Sequence, residues 1–174
     1  MENAARQKYP LSVSLLHWLV AGLMISTLIV GWLLDDNEGL MALHRSLGIA
    51  VLLAVLLRIV NRLRTRKVLP PSVNPAGSLK QRAEQAVHGL LYLCMLGVPL
   101  LGWLKTNAAG QSASFFGLFD LPVLLSHNRG LSHLLGGAHS LAATLFVVLL
   151  GMHLVGGLAH WAQHRENVLK RITP

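Results

Sequence analysis

The stretch LLGGAHSLAATLFVVLLGMHLVGGLAHW, residues 134–161, decides how this chain is read. It is apolar over more than the roughly 20 residues a helix needs to cross a bilayer, yet it carries His139 and His153, fourteen residues apart. At about 1.5 Å and 100° per residue, that spacing puts both imidazoles on nearly the same helix face, about 21 Å apart along the axis. One helix therefore offers one ligand near each membrane surface.

Three further stretches, 11–34, 41–60 and 85–103, are long and apolar enough to span. With 53% hydrophobic and only 13% charged residues among 174, the composition is that of a membrane protein rather than a soluble domain. The expected fold is all-α: one integral membrane four-helix bundle over 1–174, with helices near 11–34, 41–63, 84–104 and 134–162. The first stretch exceeds a signal-peptide apolar region and no small-x-small cleavage site follows it, so it reads as a helix. Pro10 suits its start. The segment 68–78, with Pro70, Pro71, Pro75 and Gly77, reads as an irregular connector. Pro99 is expected to kink the third helix. The Phe- and Leu-rich segment 114–125 is too short to span and is expected to lie on the membrane surface as an interfacial helix or cap.

A net charge of +8 would suggest nucleic acid in a soluble protein, but these cations gather in particular loops. Arg6 and Lys8, then Arg58, Arg62, Arg64, Arg66, Lys67, Lys80 and Arg82, then Arg165, Lys170 and Arg171 make twelve of the fifteen basic residues. The positive-inside rule puts them, and both termini, in the cytoplasm. Asp35, Asp36, Glu38 and Asp120 then lie outside, with only Arg45, Lys105 and Arg129 as cations. Those three are the outer-face candidates for drawing an anionic donor electrostatically, and no nucleic-acid partner is expected.

The nine histidines are the candidate ligands, because an ionisable residue inside a membrane is costly without a function or a partner. His17 matches His153 in depth, and His44 matches His139 at the other surface. Gly48, one turn from His44, would admit a flat macrocycle; Gly136 and Gly137 precede His139, and Gly151, Gly156 and Gly157 surround His153. Close small-xxx-small packing is the alternative account of these glycines. His88 shares the depth of His17, and depth alone does not choose between them. A leftover imidazole there suits a quinone carbonyl or a haem propionate, as does His160, seven residues past His153. His164 reads as interfacial, and His127 and His133 belong to the outer loop. Imidazoles divided between two depths fit bis-histidine ligation of two haems rather than a clustered zinc or copper site. Cys94 is the only cysteine, so there is no internal disulfide and no C-x-x-C-H attachment. Any haem is held non-covalently.

The chain resembles the bacterial cytochrome b561 family, related to the di-haem subunits of nickel-hydrogenases and formate dehydrogenases, over essentially its whole length. The resemblance is carried by "LHWLVAG" around His17, "HRSLG" at His44, "HGLLYLCMLGVPLLGW" at His88, His139 with the fourteen-spaced His153, and the closing "HRENVLKRI". It implies a multi-pass protein of the bacterial inner membrane that holds two haem b groups. His17 would pair with His153 on the inner side and His44 with His139 on the outer side, leaving His88 unligated. Electrons would pass between quinone and a partner or small donor. The small members of the family imply an oxidoreductase that oxidises superoxide and reduces ubiquinone. A haem b anchor subunit for a soluble dehydrogenase and a metal-ion transporter are the alternatives.

Overall fold

The computed structural model describes residues 8–34, 37–164 and 168–174. Of the residues weighed above, Arg6, Asp35, Asp36 and Arg165 lie outside that set, as do the side chains of Glu38 and His164. Helix α1 spans Leu11–Trp32 and α2 spans Glu38–Thr65, followed by a 3-10 turn over Arg66–Val68. Helix α3 spans Leu79–Ala108, and α4 spans Arg129–His164. Two short strands, β1 (Ser114–Phe115) and β2 (Phe119–Asp120), separate α3 from α4, and a short α5 (Val168–Ile172) follows. The four long helices are each apolar and long enough to cross a membrane.

Capping side chains set where the helices begin, ahead of the apolar stretches themselves. Asn37, Ser78 and Asn128 each accept a hydrogen bond from the backbone N–H three residues on, at 3.2, 3.2 and 2.9 Å, satisfying donors that the first turn leaves unpaired. Helix α3 runs on past Pro99 to Ala108. The outward faces are apolar: Leu15, Leu19, Ile25 and Ile29 of α1 and Leu141, Leu145, Val148 and Met152 of α4 are all exposed. Such surfaces belong against lipid, where only the backbone must be satisfied internally.

The helices pack as α1 on α2, α2 on α3 and α3 on α4. Among the described residues, neither α1 nor α2 makes a close backbone approach to α4. The core closes that gap only at mid-height, where Val20, Met24, Val51, Ala54, Val55, Leu91, Cys94, Met95, Phe146 and Leu149 form one buried apolar cluster.

The two ends are built differently. At the end bearing the termini, Arg171 is buried; its guanidinium donates to the Pro71 carbonyl at 2.9 Å and lies over the Tyr9 ring. Trp18 Nε1 donates to the Ile172 carbonyl at 3.0 Å, so α5 is tied to α1. Glu84 holds the proline-rich connector by accepting from Ser72 and Asn74 at 2.6 and 2.9 Å.

At the opposite end, the segment expected as an interfacial helix or cap contains a hairpin, not a helix. Its register pairs Ser114 with Asp120 and Phe115 with Phe119. Phe116 and Gly117 both have positive φ, 50° and 71°, the backbone that a tight primed turn requires and a helix cannot use. Ser46 of α2 holds the hairpin, its hydroxyl accepting from Phe116 N at 3.0 Å.

Asn107, 1% exposed, anchors the rest of this loop: Oδ1 accepts from Leu124 N at 2.9 Å and Nδ2 donates to the Gln111 carbonyl at 3.4 Å. Asn107→Ala leaves both backbone groups without that partner, at a cost of about 1–3 kcal/mol. Limited proteolysis of the purified protein should therefore cut within 111–128 several-fold faster than in the parent.

Candidate functional site

At the hairpin end, His44 of α2 and His139 of α4 face each other across the gap, their ring centroids 6.1 Å apart. Both rings are seated in the same way. The Nδ1–H of His44 donates to the Thr27 carbonyl at 3.2 Å, and that of His139 donates to the Val98 carbonyl at 2.9 Å. Four residues beyond each carbonyl stands a glycine, Gly31 or Gly102. A helical side chain lies over the turn that precedes it, so a side chain at either position would cover the carbonyl the imidazole uses. A Cβ on Gly31 would stand 3.0 Å from His44 Cε1, and one on Gly102 would stand 3.2 Å from His139 Cε1. With Nδ1 donating, each ring keeps Nε2 as a free lone pair, the state a metal ligand needs.

A cavity of about 550 Å³ opens between these rings, within the range of roughly 300–1,000 Å³ that holds small molecules and cofactors. Gly31, Gly48 and Gly102 line it, and a Cβ on Gly48 would meet nothing within 4 Å. The hairpin segment roofs it with Gln111, Ala113 and Leu121. Arg45 and Lys105 also line it, whereas Arg129 is exposed at the start of α4 and does not.

At the terminal end, three imidazoles meet. The His153 ring lies 6.4 Å from that of His17 and 5.1 Å from that of His88. His88 Nδ1–H donates to the Glu84 carbonyl of its own helix at 2.8 Å. His17 differs, because the Arg58 guanidinium lies 2.9 Å from its Nδ1. A guanidinium only donates, so that nitrogen accepts and the neutral His17 ring carries its proton on Nε2. Arg58 also lies over the Tyr92 ring at 5.4 Å. The cavity beside His88, His153, Arg58 and Tyr92 is small, about 70 Å³.

Phe146 and Met24 line both cavities and separate them. Phe146 stands seven residues from His139 and seven from His153, a spacing that keeps all three on one face and was open to reading in the sequence. Arg58 carried a signal too, as an ionisable residue inside a span, but it reads there as one more loop cation. Gly31 and Gly102 carried none, since nothing local distinguishes them from the other glycines. Gly137, Gly151, Gly156 and Gly157 face open space, with nothing within 4 Å of an added Cβ, so the close-packing account does not apply to them. His160 is half-buried near the end of α4, and His127 and His133 are exposed in the hairpin-end region. Among the described residues, no group of three or more His, Cys, Asp or Glu is arranged to hold a metal ion.

A membrane-spanning helical bundle with imidazoles facing one another at two depths belongs to the class of transmembrane cytochromes b. A family model described as prokaryotic cytochrome b561 matches residues 8–174. Over 95% of this chain and 91% of the relative, the sequence is 30% identical to cytochrome b561 homolog 2 of Escherichia coli (strain K12). It is 27% identical to the probable superoxide oxidase CybB of Yersinia pestis, over 91% of this chain and 92% of that protein. Cytochrome b561 homolog 1 of Escherichia coli (strain K12) is 26% identical, over 91% and 93%. The chain belongs to the prokaryotic cytochrome b561 family. It is therefore a multi-pass haem protein of the bacterial inner membrane that transfers electrons.

Because a Cβ at position 102 would meet the His139 ring, Gly102→Val is expected to push that imidazole from its carbonyl and lower the haem content, read as pyridine haemochrome per chain. Gly22→Val should leave it unchanged, since a Cβ there meets nothing within 4 Å.

Proposed function

We propose that this protein carries electrons across the membrane through two haem b groups, the inner held by His17 and His153 and the outer by His44 and His139. The donor is superoxide at the outer face and the acceptor is ubiquinone. One observation carries the assignment: two imidazole pairs on opposite sides of the apolar core, with centroids 6.4 and 6.1 Å apart. Two imidazoles that shared one metal, each bonded at about 2.0 Å, would have their ring centres about 6 Å apart. The His88–His153 separation of 5.1 Å is short for that arrangement, which favours His17 as the second inner ligand. The family motif around His17 supports the same choice.

When bound, haem b supplies one-electron exchange at each depth. What the chain supplies is position and proton placement. His44 and His139 already point Nε2 away from their hydrogen-bonded Nδ1. For His17 to ligate through Nε2, its proton must pass to Nδ1 and Arg58 must give up that nitrogen. His88, freed from ligation, serves a quinone carbonyl or a propionate beside Arg58, and His160 flanks the same end.

Basic residues at the terminal end orient it toward the cytoplasm, so the hairpin end faces out. Two superoxide ions each lose one electron and leave as O2; ubiquinone gains both electrons and two protons. The name of the Yersinia pestis relative supports this donor, and Arg129, exposed at the hairpin end, is a cation that an anion would meet from solution.

The purified protein should hold two b haems per chain. His88→Ala should retain both while slowing quinone reduction, whereas His17→Ala should lose one. Loss of a haem in His88→Ala, with none lost in His17→Ala, would exchange the roles of the two residues.

Reduction by a superoxide pulse, followed at the haem band by stopped flow, should slow as salt rises, because the screening length shrinks from about 10 Å at 0.1 M to about 3 Å at 1 M. Arg129→Gln should flatten that dependence. A haem that stays oxidised under superoxide yet is reduced promptly by quinol would remove superoxide as donor and restore the anchor-subunit reading.

A further inference from the structure

Among the outer cations, the structure separates two from the third: Arg45 and Lys105 line the hairpin-end cavity and Arg129 does not. Arg45 follows His44 directly in α2, while Lys105 lies near the end of α3. The Lys105 stem is laid along α4 beside Gly136, where an added Cβ would stand 3.5 Å from Cε. Gly136 is three residues ahead of His139, so both cations are brought to the two walls that carry the histidines.

The cavity is divided in character between its core side and its hairpin side. On the core side are Met24, Val51 and Phe146 of the buried apolar cluster; on the hairpin side are Arg45, Lys105, Thr106 and Gln111. Arg45 donates to Gln111 Oε1 of the hairpin segment. Among the described residues, no carboxylate pairs with either cation. Two cations beside an apolar cleft at membrane depth call for compensating anions. A flat, largely apolar ligand with two carboxylates on one edge meets the cleft and both charges together.

We infer that Arg45 and Lys105 clamp the two propionates of the outer haem, turning its carboxylate edge toward the hairpin and its apolar edge toward Phe146. This rests on the haem assignment for His44 and His139. The two residues are positioning groups rather than a docking site for the donor. Their charge also favours the reduced form, since the added electron is stabilised by nearby cations.

The test is a redox titration of the full-length haem-loaded protein in nanodiscs, with the outer component identified by its disappearance in His44→Ala. Lys105→Gln and the double variant with Arg45→Gln should move the outer midpoint to lower potential. The double variant should shift it by at least tenfold in the oxidised-to-reduced equilibrium, about 59 mV for one electron. The inner component should hold still, and Lys105→Arg should restore the parent value. As a second measurement, full-length protein from haem-limited cells is titrated with haem and with its dimethyl ester. The parent should bind the ester at the outer site at least tenfold more weakly, and Lys105→Gln should narrow that difference.

An outer midpoint that ignores both substitutions, or an ester that binds the parent as tightly as haem, overturns the clamp. If His44→Ala removes no haem, the assignment beneath it fails instead, and the clamp with it.

Discussion

An imidazole inside a bilayer must find a partner for its N–H, because hydrocarbon offers none and an unsatisfied polar group there costs several kcal/mol. At the hairpin end that requirement is met by backbone carbonyls already engaged in helices. His44 borrows the carbonyl of Thr27 and His139 that of Val98, and each borrowing is open only because a glycine stands one turn further along the acceptor helix. A carbonyl has two lone pairs, so the helix keeps its own hydrogen bond while serving the ring. The arrangement also decides which nitrogen carries the proton, and with it which nitrogen is available to a metal.

The packing follows from the same constraint. Helices α1 and α2 stay apart from α4 where the imidazoles face each other, and the bundle regains a closed core only at mid-height. Phe146 and Met24 lie at that closure and border both cavities. The core thus works as an apolar septum between two histidine-bearing clefts. It is small for a chain of 174 residues, but a membrane bundle does not rely on burying apolar surface from water; its outer leucines and valines are solvated by lipid.

The two ends handle charge in different ways. At the terminal end Arg58 is already engaged with His17 Nδ1 and the Tyr92 ring, so which nitrogen of His17 carries the proton is coupled to where one guanidinium rests. At the hairpin end Arg45 and Lys105 border an open cleft beneath a β-hairpin roof. The two groups of facing histidines therefore sit in unlike surroundings, one beside an engaged guanidinium and one beside an open cleft.

Much of this was legible in the residues themselves. Four apolar stretches determine four spanning helices, because a bilayer fixes the length that must be apolar. The fourteen-residue spacing of His139 and His153 determines two imidazole depths, because helix geometry converts residue number directly into height and angle. Depth and the face of its own helix, however, are all that spacing provides. Whether His17 or His88 lies opposite His153 at 6.4 or 5.1 Å depends on how neighbouring helices rotate about their axes, which is set by packing across the whole bundle. The seating glycines, the Arg58 contact and the separation of Arg45 and Lys105 from Arg129 likewise join residues on different helices. The hairpin roof was missed for a local reason: Phe116 adopts a positive φ that its residue type disfavours, and the anchors at Ser46 and Asn107 that hold it there come from α2 and α3. The sequence by itself determined the number of spanning helices and the depths of their histidines; only tertiary structure decided which rings meet, because that depends on the rotation of each helix against its neighbours.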